Sequence, residues 1–232
     1  MLFKRIINYS LLFINSIIAH SQLKWTNVDS LYQPLPSSVH VYFTNEPIDT
    51  APFRAYYLVA DLKDKKLLFD ADTTLNRRLT PTQFYKKDNQ PLVVVNCTFF
   101  SFQTNQNLNV VIKDGKMAGY NIHTIPGRGK DTLTYRHPLG SAIGITKMRN
   151  ADIAWLYTDS SIKNAYALQL AVEPLKDSIR NFSFKKAAFT TSIASHGAIT
   201  PMLRKWRQIN TAVGGGPVLL QLGKEKLPIT KN

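Results

Sequence analysis

The stretch Leu92-Val-Val-Val-Asn-Cys-Thr-Phe-Phe100 decides how this chain is read. Four consecutive apolar residues, three of them β-branched, predict a strand buried on both faces at the centre of a sheet. The strand runs into Asn96, Cys97 and Thr98 and then two aromatics. In that position Asn96 and Thr98 would project amide and hydroxyl groups into a cleft, with Phe99 and Phe100 as its apolar wall. By residue type alone, a strand end whose polar groups satisfy a turn is the simpler reading.

Strand signals continue on both sides. Val39–Phe43 and Ala55–Ala60 are rich in β-branched and aromatic residues. Lys66–Phe69 follows a polar turn and predicts a hairpin arm. Leu108–Ile112, Asp114-Gly115 and Lys116-Met117 read as strand, tight turn and strand, because Asp-Gly suits a hairpin. Ser141–Ile145 and Asp152–Tyr157 form a further pair, and Val218–Leu222 a last strand. Ile122–Arg136, with Pro126, Gly127 and Gly129, reads as a loop. Helix signals are few. Thr80 followed by Pro81 predicts a short capped helix ending near Lys87. Ala165–Val172 fits strand or helix, and Ala198–Trp206 a helix or turn. The expected fold is α+β, a single mixed, strand-rich domain with few helices.

The N-terminus carries Lys4 and Arg5, an apolar stretch over residues 6–19, and Ala19-His20-Ser21. This pattern predicts a secretory signal peptide over residues 1–21, cleaved after Ser21, and a secreted or periplasmic protein. The stretch is too short and too interrupted by polar residues to be a comfortable membrane span. Residues 22–38 then form a lead-in segment and 39–232 the domain. Cleavage removes Lys4 and Arg5, so the net charge of +14 becomes +12. The one cysteine, Cys97, excludes an internal disulfide and a cysteine-based zinc site.

A basic exported protein points to anionic surroundings, such as a phosphorylated or otherwise anionic glycan. The Lys and Arg residues are dispersed and no nucleic-acid motif occurs, so nucleic acid is not an expected partner. No cofactor motif and no metal-ligand set is read.

The segment Ala212-Val-Gly-Gly-Gly-Pro-Val-Leu-Leu220 is the second informative one. Gly214, Gly215 and Gly216 would let backbone approach a ligand unobstructed and present N–H groups to an anion. It matches neither a phosphate loop nor a dinucleotide fingerprint, which need different flanking residues. A structural turn before a buried strand fits the glycines equally well.

Taken in order, Val95-Asn-Cys-Thr-Phe-Phe100, Val111–Lys116, Gly144-Ile145 with Ala154-Trp155, and Ala212–Leu220 resemble the phosphodiester glycosidase family. This is the domain related to the mannose 6-phosphate uncovering enzyme. The resemblance covers roughly residues 39–224 and rests on the order of short motifs. It implies an α+β domain that hydrolyses or binds a sugar linked through a phosphodiester, such as N-acetylglucosamine-1-phosphodiester. The implied cleft residues are Asn96, Thr98, Phe99, Gly214, Gly215 and Gly216. Cys97-Thr98 stands where the family has Gly-Gly, and Leu222-Gly223-Lys224 replaces its Asp-Gly-Lys. The family's further C-terminal strands and helix have no counterpart here. Three expectations stay open: a second chain completing the fold, reduced or lost activity, or a truncated product.

Glycoside hydrolysis commonly needs two carboxylates flanking the bond. The motifs supply only Asp114, in a predicted turn. Asp72, Asp131, Asp152, Asp159 and Glu173 remain unassigned, so the catalytic acid and base are unknown. His123, His137 and His196 lie in loop-like stretches as surface or packing residues. Arg128, Arg136 and His137 share a loop whose guanidinium forks could meet phosphate. The alternative to an active hydrolase is a catalytically degenerate glycan-binding module of the same fold; a basic adhesin for anionic polymers is a third.

Overall fold

The computed structural model describes residues 23–137, 139–168, 175–178, 204–206, 208–221 and 224–225. The predicted signal peptide, Glu173, His196 and most of the 198–206 segment lie outside these residues. The chain forms two compact units, Met1–Asp64 and Lys65–Asn232.

In the first unit, β1 (Thr26–Asn27), β2 (Val39–Thr44) and β3 (Ala55–Ala60) make an antiparallel sheet in the order β1-β2-β3. The register runs from Val39 opposite Ala60 to Thr44 opposite Ala55. Aromatic cross-strand pairs hold it: Tyr42 stacks on Tyr57 at 4.7 Å, and Phe43 meets Tyr56 at 4.7 Å. Asp29 sits against β2, facing His40 Nδ1 at 2.8 Å and accepting the Val41 amide at 2.7 Å. The His40 contact, with the Val41 amide second, lowers its carboxyl pKa to about 2.

The second unit holds the one α-helix among the described residues, α1 (Pro81–Lys87). Thr80 Oγ1 accepts the Gln83 amide, the Gln83 side chain returns to the Thr80 amide, and Pro81 opens the first turn. The strands of this unit, in chain order, begin with β4 (Val111–Lys113), β5 (Lys116–Gly119), β6 (Ile125–Pro126) and β7 (Tyr135–His137). They continue with β8 (Gly140–Thr146), β9 (Ala151–Asp159), β10 (Asn164–Leu168) and β11 (Leu175–Asp177). The last are β12 (Arg204–Lys205), β13 (Ile209–Gly215), β14 (Leu220–Gln221) and β15 (Lys224–Glu225). Seven of them form one sheet in the order β12-β10-β9-β8-β13-β4-β5, with every pairing antiparallel.

This corrects the expected α+β class. The fold is mostly β, its antiparallel sheets including a curled half-barrel, with a single α-helix among the described residues. The strand-or-helix segment at 165–172 resolves, in its described part, into β10. The 122–136 loop contains β6 and most of β7.

The larger correction concerns Leu92–Val95, which forms no strand. Leu92, Val93 and Val95 are all exposed. The central position expected for it is taken by another strand. The centre belongs to β13, which pairs with β8 on one side and β4 on the other, so no edge is left there for a further strand. Lys66–Phe69 likewise forms no strand, and of the Val218–Leu222 strand the described residues 218–221 contain only the short β14, Leu222 lying outside them.

Alternation along β8, β9 and β13 sorts the sheet into two faces. Val110, Ile112, Ala142, Ala154, Leu156, Ala167, Ile209 and Ala212 form the core on one face, with Met117 and Trp206 packed on it. Small residues on β8 leave room for a large one. A Cβ on Gly144 would lie 2.5 Å from the Trp206 ring. That ring spans to β9, where its Nε1 donates to Asp152 Oδ2 at 2.7 Å. Ser141, Ile143, Ile153, Val213 and Gly215 occupy the other face.

Candidate functional site

The second face carries an apolar groove of about 440 Å³. Its floor is Ser141, Ile143, Ile153, Val213 and Gly215, and Pro217 to Leu220 run along it after β13. Cys97 closes it from the 92–100 segment.

Asn109 joins these two stretches of chain. Its Oδ1 accepts the Phe99 amide at 2.9 Å, and its Cβ would lie 2.5 Å from a Cβ placed on Gly214. Gly214 also donates its amide to Val110 O at 2.8 Å. Gly214 is therefore glycine because Asn109 fills the space of a side chain.

Gly215 and Gly216 differ. Neither has positive φ, and a Cβ on either would meet nothing within 4 Å. Packing does not require glycine there, so the bare backbone faces open space. Ser141 Oγ donates to Gly216 O and fixes the turn out of β13.

Of the residues singled out from sequence, Gly214 and Gly215 line the groove. Gly216 borders it through Ser141, whereas Asn96 and Phe99 are exposed beside it and Thr98 is half-buried. Cys97, between Asn96 and Thr98, is the residue of that segment that reaches the groove. Its residue is exposed, yet crowding of the sulfur raises the thiol pKa by desolvation. Phe100 turns instead toward Phe102, at 4.9 Å between ring centroids.

The described groove lining holds no carboxylate, imidazole or cation. The carboxylates left unassigned are engaged elsewhere. Asp72 pairs with Lys87 and, at 3.4 Å, with Lys113, while Asp70 meets Lys113 at 3.3 Å. Burial opposes ionisation of Asp72, but Lys87, the Thr73 amide and Lys113 outweigh it and lower its pKa. Asp152 accepts Trp206, Asp159 accepts Ser161, and Asp114 is an exposed turn residue at φ 49°. Asp131 sits in a 3₁₀ turn. Arg128 and Arg136 are exposed. Among the described residues, no group of three or more His, Cys, Asp and Glu could hold a metal ion.

Sequence reasoning missed a buried polar network. Asn121 Oδ1 accepts the Val110 amide at 2.8 Å, its Nδ2 donates to Leu156 O at 3.0 Å, and its own amide donates to Thr158 Oγ1 at 2.9 Å. His123 Nε2 lies 3.2 Å from the same hydroxyl, and its ring stacks on Tyr157 at 4.7 Å. Burial lowers the His123 pKa, partly offset by Asp159. Gly140 makes room for this network, since a Cβ there would lie 2.7 Å from the Asn121 carboxamide. A glycine facing an asparagine across a strand leaves no mark in the sequence.

Comparison with family models, with curated proteins and with solved structures found no match.

Proposed function

We propose that this chain binds a sugar linked through a phosphodiester, as a phosphodiester glycosidase-like module that retains binding without a carboxylate pair for hydrolysis. Proximity carries this reading: Cys97 and the Gly214-Gly215 backbone line one groove, joined through Asn109. Gly215 and Gly216 let a ligand approach the backbone with no side chain in the way. The absence of carboxylates from the described lining favours the degenerate binding module over the hydrolase.

The test is titration with an alkyl phosphodiester of N-acetylglucosamine-1-phosphate, alongside an assay for released sugar. Saturable binding without release is expected, and the bound ligand should protect Cys97 from maleimide. Gly215→Val, which fills the groove without displacing a neighbour, should abolish both effects. Binding unchanged in that variant, or no binding by the parent, refutes the groove. Turnover would restore the hydrolase reading.

The exposed Ile143, Ile153, Leu219 and Leu220 favour a second reading, in which another chain lays a segment along this groove. Concentration-dependent sedimentation that Gly215→Val shifts toward monomer would support it.

A further inference from the structure

Two neighbouring loops of the second unit, residues 74–78 and 99–106, project large apolar side chains into solvent. Leu75 is 78 % exposed and Phe102 77 % exposed, with Phe99 exposed beside them. The loops are tied to each other and internally. Gln106 Nε2 donates to Asn76 Oδ1 at 3.3 Å, Thr74 Oγ1 donates to Arg77 O, and the Ser101 and Gln106 backbones bond at 2.9 Å.

Arg78 bridges the pair. Its guanidinium lies 5.4 Å from the Phe100 ring centroid and 5.3 Å from that of Phe102. Rings beside a guanidinium hold its rotamer while leaving donors free for an oxyanion. Arg77 is exposed next to it. Residues 70–107 contain four basic side chains and three acidic ones; Asp72 and Asp88 both meet Lys87 and Asp70 meets Lys113, away from Arg77 and Arg78. Apolar tips beside the Arg77-Arg78 pair match the boundary between acyl chains and anionic headgroups. Among the described residues no helix is long and apolar enough to cross a membrane.

We propose that these paired loops form a docking surface for an anionic lipid bilayer, with Leu75 and Phe102 entering the interface and Arg77 and Arg78 holding lipid phosphates. The proposal is independent of the groove and its ligand.

The experiment uses the full chain and vesicles of phosphatidylcholine with or without phosphatidylglycerol. In F102W, the emission of the added indole, taken as the difference from the parent with its three tryptophans, should shift to the blue and be quenched by brominated acyl chains only when phosphatidylglycerol is present. In the parent background, L75S/F102S should lower partitioning by about tenfold or more. R77Q/R78Q should lower it by about thirtyfold, with the loss mimicked by salt. The N-terminal apolar stretch is common to all variants, so the differences between them report the loops.

An indole at position 102 that stays in water with anionic vesicles overturns the proposal. Equal partitioning of parent and loop variants, or equal binding to neutral vesicles, does so too. Displacement from vesicles by millimolar inorganic phosphate at constant ionic strength would reassign Arg78 to a free phosphate ion and also overturn it. Because F102W reads insertion directly, an unfolded serine or glutamine variant does not remove the test.

Discussion

Adjacent glycines at the end of β13 should respond oppositely to the same substitution. In Gly214→Ala the new methyl falls 2.5 Å from Asn109 Cβ and 3.1 Å from the Val110 nitrogen. The backbone atom belongs to the neighbouring chain segment and cannot rotate away, so Asn109 must shift. Overpacking of this kind costs about 1–3 kcal/mol. Displacing Asn109 also strains the bond that its Oδ1 accepts from the Phe99 amide, worth about 1 kcal/mol. Replacing glycine restricts the unfolded chain and returns about 0.4–1 kcal/mol. The net loss is about 1–3 kcal/mol, a fall in Tm of about 3–10 °C for a unit of this size. Gly215→Ala has only the favourable term, because a Cβ there meets nothing within 4 Å and φ is not positive. It should be neutral or stabilising by up to about 1 kcal/mol. Urea unfolding of both variants measures the difference. Adding Asn109→Gly to Gly214→Ala removes the clashing Cβ and should recover about 1 kcal/mol or more as a coupling energy. Equal effects at 214 and 215, or additivity in the double variant, would refute the contact between Asn109 and β13.

Asn121→Ala should cost about 2–5 kcal/mol in denaturant unfolding, because it strands the buried Val110 amide and Leu156 carbonyl together. His123 has a depressed pKa, so the folded state disfavours its proton. Its contribution is complete above the ordinary histidine pKa and is lost as pH falls through that value and below. Melting temperature should drop between about pH 7 and about pH 5, and His123→Gln should flatten that slope. The Cys97 thiol, raised by desolvation, should alkylate more slowly at neutral pH than a free thiol and accelerate on moving to higher pH. A rate constant from maleimide or iodoacetamide labelling reads this directly.

Local signals read correctly where neighbours alone dictate the backbone. Thr80-Pro81 fixes the helix start, Asp114-Gly115 closes the β4–β5 hairpin, and the strand read at Asp152–Tyr157 lies within β9. Failures came where partners distant in sequence decide. An apolar run such as Leu92–Val95 lacks alternation, so the sequence cannot say whether a sheet edge will be free to receive it. The Gly214-Gly215 pair looks like a turn because glycine weakens strands in isolation. Here Asn109 supplies the missing bulk for Gly214, and the pair ends the central strand. The groove was legible as two segments but not as a surface, since Cys97 reaches it rather than its polar neighbours. Asn121 gave no local sign at all.

The position of β13 also bears on how the sheet is made. β4 and β8 are synthesised early, about thirty residues apart, yet they never pair with each other. Each waits for residues 209–215, so both keep an unpaired edge until most of the chain has emerged. Closing loops of that length before any reward is gained slows folding and lengthens exposure to self-association. The arrival of a single glycine-ended strand therefore sets when both of these edges are closed.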